Sequence, residues 1–139
     1  MVTIEVSGTP VAKPRPRGYK TKKCKIGFYT PTKGKQFEYL IRQRAEKVFD
    51  KPLTGAISLT VIFMMPRPKR LIWKTKPMPA IPHTARIDID NLAKSIFDGL
   101  NGIAFYDDGQ ISELYAKKMY HAGDEGPRTI IKIESDKID

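Results

Sequence analysis

Ile89, Leu92, Ala93, Ile96, Phe97 and Leu100 recur at i, i+3, i+4, i+7, i+8 and i+11. A stripe of this kind commits the segment to an amphipathic helix with one face on an apolar surface, and Asn101 and Gly102 behind it supply the stop. The surface is expected to be a sheet. Residues 56–65 are rich in β-branched side chains and read as its best strand. Residues 2–7 alternate apolar and polar, as a half-buried strand does. Residues 110–120 and 128–134 read as two more strands, joined by a turn over 121–126. Phe37, Leu40, Ile41, Ala45 and Val48 mark an earlier helix, with Thr30 as N-cap, Pro31 at its first position and an end near Phe49. The order β-α-β-α-β-β describes an α/β (α+β) domain, a small mixed β-sheet covered by two helices. At 139 residues, 1–139 is expected to be a single domain.

Two segments fall outside this frame. Residues 8–18 are proline-rich and cationic, and lysines continue at 20, 22, 23 and 25, which predicts an irregular loop. Residues 66–85 hold Pro66, Pro68, Pro77, Pro79 and Pro82 among Arg67, Lys69, Arg70, Lys74 and Lys76. A structureless connection of that length is usually functional or mobile. Trp73 in its middle can stack on an unpaired base or pin the loop to the domain.

Charge is divided along the chain. Residues 1–87 carry 19 basic and 4 acidic side chains, whereas 88–139 carry 6 basic and 11 acidic. Val6 to Phe37 and Lys51 to Ile87 contain no acid at all. Fields of one sign on this scale favour salt-sensitive contact with phosphate backbones, although a merely solvated surface is the plainer alternative. Cys24 is the lone cysteine, which excludes an internal disulfide and a cysteine-based zinc site and fits a reducing cytoplasm. No apolar run approaches a membrane span, and the N-terminus reads as a strand and not as a signal peptide.

Against this cationic background, acids collect in one place. Asp88 and Asp90 stand where the basic loop meets the second helix, and its polar face carries Asn91, Lys94 and Asp98. Lys94 lies one turn from Asp90 on the same face. Asp107 and Asp108 follow, and reach the helix start if the chain doubles back. Carboxylates converging on one point suit Mg²⁺, which keeps waters and substrate phosphate oxygens in its shell, polarises a phosphate and generates a hydroxide nucleophile. Lys94 can then stabilise charge developing on phosphorus. The alternative is structural: Asp88 as N-cap, Asp90 favouring the helix dipole, and residues 107–109 as an ordinary turn. Spacing alone leaves both open.

Arg86-Ile-Asp-Ile-Asp-Asn-Leu-Ala-Lys-Ser-Ile-Phe-Asp-Gly-Leu100, followed by Phe105-Tyr-Asp-Asp108, resembles the signature of RusA-type Holliday junction resolvases. The dense match covers about 23 residues, and the basic run 8–17 resembles the family's basic loop less specifically. These are small Mg²⁺-dependent endonucleases, many of them phage- or prophage-borne. The resemblance implies a homodimer that makes paired, symmetric nicks in a four-way DNA junction during recombination and repair. It implies Asp88, Asp90 and Asp108 as metal-binding and catalytic acids, with Asp107 as the alternative to Asp108. It further implies Lys94 as the catalytic lysine, Asn91 as a brace for the carboxylates, and Mg²⁺, or Mn²⁺ in its place, as the cofactor, with no small-molecule cofactor. Asp98 is expected to be structural. Lys13, Arg15, Arg17, Lys69, Arg70, Lys74, Lys76 and Arg86 are the candidate DNA contacts. Segments 66–85 and 10–30 are longer than in compact members, which opens the substrate geometry. Two competing functions stand beside this one: a non-enzymatic basic DNA-binding protein, and a metal nuclease acting on other branched DNA or on RNA.

Overall fold

The computed structural model describes residues 1–13, 17–20, 26–29, 32–72, 78–123 and 125–136; of 17–20, 26–29 and 32 it describes the backbone alone. The strands are β1 (Val2–Ser7), β2 (Arg17–Lys20), β3 (Ile26–Tyr29), β4 (Ile57–Met65), β5 (Ile81–Pro82), β6 (Ile111–Tyr120) and β7 (Arg128–Ser135), and the helices are α1 (Thr32–Val48) and α2 (Ile89–Leu100). Five strands form one sheet in the order β1-β7-β4-β6-β5. β4 and β6 run parallel, and β7 lies antiparallel to both β1 and β4. Parallel neighbours need a crossover connection, and α2 is part of it.

Alternation decides which face is buried. Ile57, Leu59, Val61 and Phe63 of β4 are fully buried, as are Ile131 and Ile133 of β7, with Ile4 and Val6 of β1 beside them. Against that face lie Phe37, Ile41 and Ala45 of α1 and Leu92, Ile96 and Leu100 of α2. The result is a two-layer α+β domain, as the periodicities predict. The helices meet closely at Gly99, where a Cβ would fall 2.7 Å from Cγ2 of Ile41. No helix among the described residues is long and apolar enough to cross a membrane.

Two expectations are corrected. Within the stretch read as an irregular loop, β2 and β3 pair as a separate antiparallel hairpin, Arg17 opposite Tyr29 and Lys20 opposite Ile26. Lysines dilute the hydrophobic pattern there, although Tyr19, Phe28 and Tyr29 are good strand formers. Segment 66–85 is also partly ordered. It contains a 3-10 turn at Lys69–Leu71 and β5, which pairs with Met119 and Tyr120. Buried Arg67 clamps it: the guanidinium donates to the carbonyls of His121 (2.7 Å), Leu71 (2.8 Å) and Pro79. Thr30, Pro31, Arg15, Cys24, Trp73, Lys74 and Lys76 lie outside the described residues, and so does the side chain of Arg17.

Candidate active site

α2 starts beside the C-terminal ends of β4 and β6. Lys118 fixes that start: its Nζ donates to the carbonyl of Ile87 at 2.6 Å and of Ala85 at 3.3 Å. The residue sits in register with buried Phe63, so its stem rises on the helix side of the sheet. The carbonyl of Lys118 in turn accepts from the backbone N–H of His83 at 3.1 Å. The ring of His83 packs against Tyr120 with centroids 4.6 Å apart. Burial, and then the neighbouring Lys118 ammonium, hold the His83 pKa below its ordinary 6.5. The loop before α2 and the last part of β6 line an open groove that includes Arg86, Asp88 and Lys117.

Asp88 occupies the N-cap position in extended conformation, yet its carboxylate makes no capping bond. Among the described residues its side-chain hydrogen-bond partner is Asn91, whose Nδ2 approaches Oδ2 at 3.5 Å, at the limit of a hydrogen bond. Asp90 and Lys94 are exposed and have no side-chain partner among the described residues. The purely structural account of Asp88 therefore loses its main support. Exposed carboxylate oxygens at two positions two residues apart suit a water-rich Mg²⁺, which commonly takes only one or two protein carboxylates plus phosphate oxygens. Arg86, Lys69 and Arg70 are exposed at this same end of the sheet.

Lys13 is placed differently from the expectation. Its Nζ pairs with Glu38 at 2.6 Å and with Asp98 at 2.9 Å, tying α1 to α2. Burial disfavours its charge, but the two carboxylates outweigh that and raise its pKa above 10.5. The strap that carries it is pinned along α2: Lys13 N–H donates to the Asn91 carbonyl, and Ser95 Oγ to that of Val11, both at 2.8 Å. The ammonium thus serves the helix pair.

The second acidic pair sits in a tightly wired corner. Asp107 Oδ2 accepts from the N–H of Gly109 at 3.0 Å. Gln110 closes the reciprocal half, its Oε1 accepting from the N–H of Tyr106 and of Asp107. Its Nε2 donates to the carbonyls of Leu53 and Gly55 at 3.0 Å each. Asp107 is therefore committed to the turn, whereas Asp108 is exposed with no side-chain partner among the described residues.

The two acidic sets do not meet. Residues 101–110 lie at the C-terminal end of α2, where β4 and β6 begin, and Asp88 and Asp90 lie at its other end. Twelve helical residues place roughly 18 Å between them. The doubling-back that would join Asp107 or Asp108 to the helix start does not occur within one chain. Among the described residues no three His, Cys, Asp or Glu side chains form a group able to hold a metal.

A family profile described as Endodeoxyribonuclease RusA matches residues 7–134, a span that takes in both acidic sets. The chain belongs to the RusA endodeoxyribonuclease family. It is 31% identical over 121 residues to the crossover junction endodeoxyribonuclease rusA of Lactococcus phage r1t, covering 84% of each chain. It is also 30% identical over 138 residues to the uncharacterized protein YqaN of Bacillus subtilis (strain 168), covering 95% of this chain and 94% of that one. Within this RusA-family protein, sequence reasoning missed Lys118, Arg67 and Gln110. Lys118 left one available signal, a cation at the core-facing parity of an otherwise alternating strand.

Proposed function

We propose that this protein is a Mg²⁺-dependent, structure-selective endodeoxyribonuclease that resolves four-way DNA junctions by paired nicks, acting as a homodimer. The observation that carries the reading is the pair Asp88 and Asp90: two exposed carboxylates, with no capping bond from Asp88 and no ion pair to either among the described residues, at the cationic end of a RusA-family domain. The crossover junction name of the phage relative supports the junction as substrate.

Asp88 and Asp90 would hold the metal, which supplies Lewis acidity toward the scissile phosphate and an activated water. Asn91 steadies the Asp88 carboxylate, and Lys118 sets the backbone from which both acids project. Lys94, one turn along α2, meets the negative charge that grows on the phosphate oxygens. Arg86, Lys69 and Arg70 neutralise flanking phosphates and fix the strand's path. Asp108 cannot join this set in its own chain across roughly 18 Å. A site that uses it has to take it from a second copy, which gives a two-fold dimer two equivalent sites for two equivalent strands.

The test is a nicking assay on a synthetic four-way junction beside matched duplex and RNA, with Mg²⁺ or with EDTA. Paired Mg²⁺-dependent nicks on the junction, lost in Asp90→Asn, are expected. Tight junction binding without cleavage in any divalent metal would leave a DNA-binding protein. Cleavage of RNA or other branched DNA in preference would leave a metal nuclease of different substrate.

A further inference from the structure

Arg67 is charged and yet buried, at 8% exposed, in a segment whose prolines at 66, 68, 79 and 82 carry no N–H to give. Its guanidinium supplies the missing donors. Nε donates to the carbonyl of His121, Nη1 to that of Leu71 and Nη2 to that of Pro79. The three acceptors belong to three pieces of chain: the exit of β6, the 3-10 turn Lys69–Leu71 and the approach to β5. One planar fork fixes all three at once, which the single ammonium of a lysine cannot do.

The turn held in this way carries its charges outward. The N–H of Leu71 donates to the Pro68 carbonyl at 2.9 Å and that of Ile72 to the Lys69 carbonyl at 3.1 Å, while Lys69 and Arg70 are exposed. The anchor beyond β6 matters as much. Lys118, three residues before His121, holds the Ile87 carbonyl just ahead of Asp88. The cationic turn and the acidic helix start are therefore both referenced to one stretch of main chain about 10 Å long. His121 is itself tied back, its N–H donating to the Met65 carbonyl at 3.0 Å.

We infer that Arg67 is a positioning residue for DNA shape: it fixes Lys69 and Arg70 relative to the helix start, so that their phosphate contacts favour a branched substrate over a linear duplex. A loose cationic segment follows any phosphate path and adds affinity to every DNA alike. A segment fixed beforehand loses contacts wherever the path does not match, which turns the same two charges into discrimination. The branched substrate rests on the nuclease reading; the clamp does not.

The test reads binding of the full-length protein in EDTA, to a four-way junction and to matched duplex, across a salt series. Wild type should prefer the junction. Arg67→Lys, which keeps a charge and loses the fork, should lower that preference about tenfold, mostly through weaker junction binding. The salt slope on duplex should not move, because Lys69 and Arg70 remain. Pro68→Gly loosens the same turn without touching the buried guanidinium and should lower the preference to a smaller extent. Lys69→Gln combined with Arg70→Gln should instead flatten the salt slope on both DNAs, by about two counterions. Urea midpoints check that each variant is folded at the assay temperature, and if Arg67→Lys is not, Pro68→Gly decides alone. An unchanged preference in the folded variants, or junction and duplex affinities falling together, would overturn the inference. A wild type without junction preference would overturn it together with the choice of junction as substrate. Junction preference without Mg²⁺-dependent nicking would sink the nuclease reading and leave Arg67 its role.

Discussion

The two ends of α2 are built on opposite rules. At the C-terminal end side chains are spent on the fold: Gln110 satisfies four backbone groups and Asp107 caps a turn. At the N-terminal end the backbone is held firmly by Lys118, while Asp88, Asp90 and Lys94 are left with almost nothing to do. A fold that fixes its main chain and withholds its charged side chains from internal bonding has arranged donors for something outside itself. Asp108 belongs chemically to that second group, although it is housed in the first.

The sharpest way to break the comparison is to alter the adjacent acids separately. Asp108→Asn is expected to cut cleavage on the order of a thousandfold, the scale of a lost metal carboxylate, with folding unaffected. Asp107→Ala should behave in reverse, costing about 1 kcal/mol of stability as a lost cap and little activity. Denaturant midpoints beside nicking rates decide it, and equal losses in both would erase the division of labour.

Lys118→Met keeps the stem and removes the ammonium that holds the 85 and 87 carbonyls. Cleavage should fall about 10- to 100-fold, in the manner of other supporting residues around a metal site, and junction binding should change far less. Equal losses in the two would make Lys118 a phosphate contact instead.

The helix joining the two ends must keep its seat on α1. Gly99→Ala drives a methyl into Ile41 and should destabilise the protein by about 1–3 kcal/mol, read as a lower urea midpoint. The smallest effect concerns pH. The folded pKa of His83 is lowered, so the unfolded chain binds a proton more readily. Its stabilising share is therefore complete above pH 6.5 and is lost as pH falls below that value. His83→Phe should reduce the slope of stability against pH in that window, and an unchanged slope would remove His83 from the acid response.

Much of this was legible beforehand. The apolar stripe from Ile89 to Leu100 and the β-branched run at 57–65 encode their elements in period and composition, because each buries a single kind of surface. The hairpin was not legible, since its lysines mask the pairing pattern. The parting of the acids was partly legible. Only six residues, 101–106, separate α2 from Asp107, and fully extended they would barely retrace the helix. They are not extended: Gly102 adopts φ 81° and bonds back to the Phe105 carbonyl. That Asp88 declines to cap its helix, and that Lys13 is absorbed by Glu38 and Asp98, depends on rotamers and neighbours distant in sequence.

The most direct test is complementation between two inactive chains. Asp90→Asn and Asp108→Asn proteins are each assayed alone on the four-way junction with Mg²⁺, then mixed, partly unfolded together and refolded before assay. If each site takes its carboxylates from both copies, every mixed dimer regains one intact site. Nicking should then return at roughly a quarter of the wild-type site concentration, as single nicks and not paired ones. If mixing restores nothing although mixed dimers form, the acids at the two ends of α2 do not serve a shared site, and the account is contradicted.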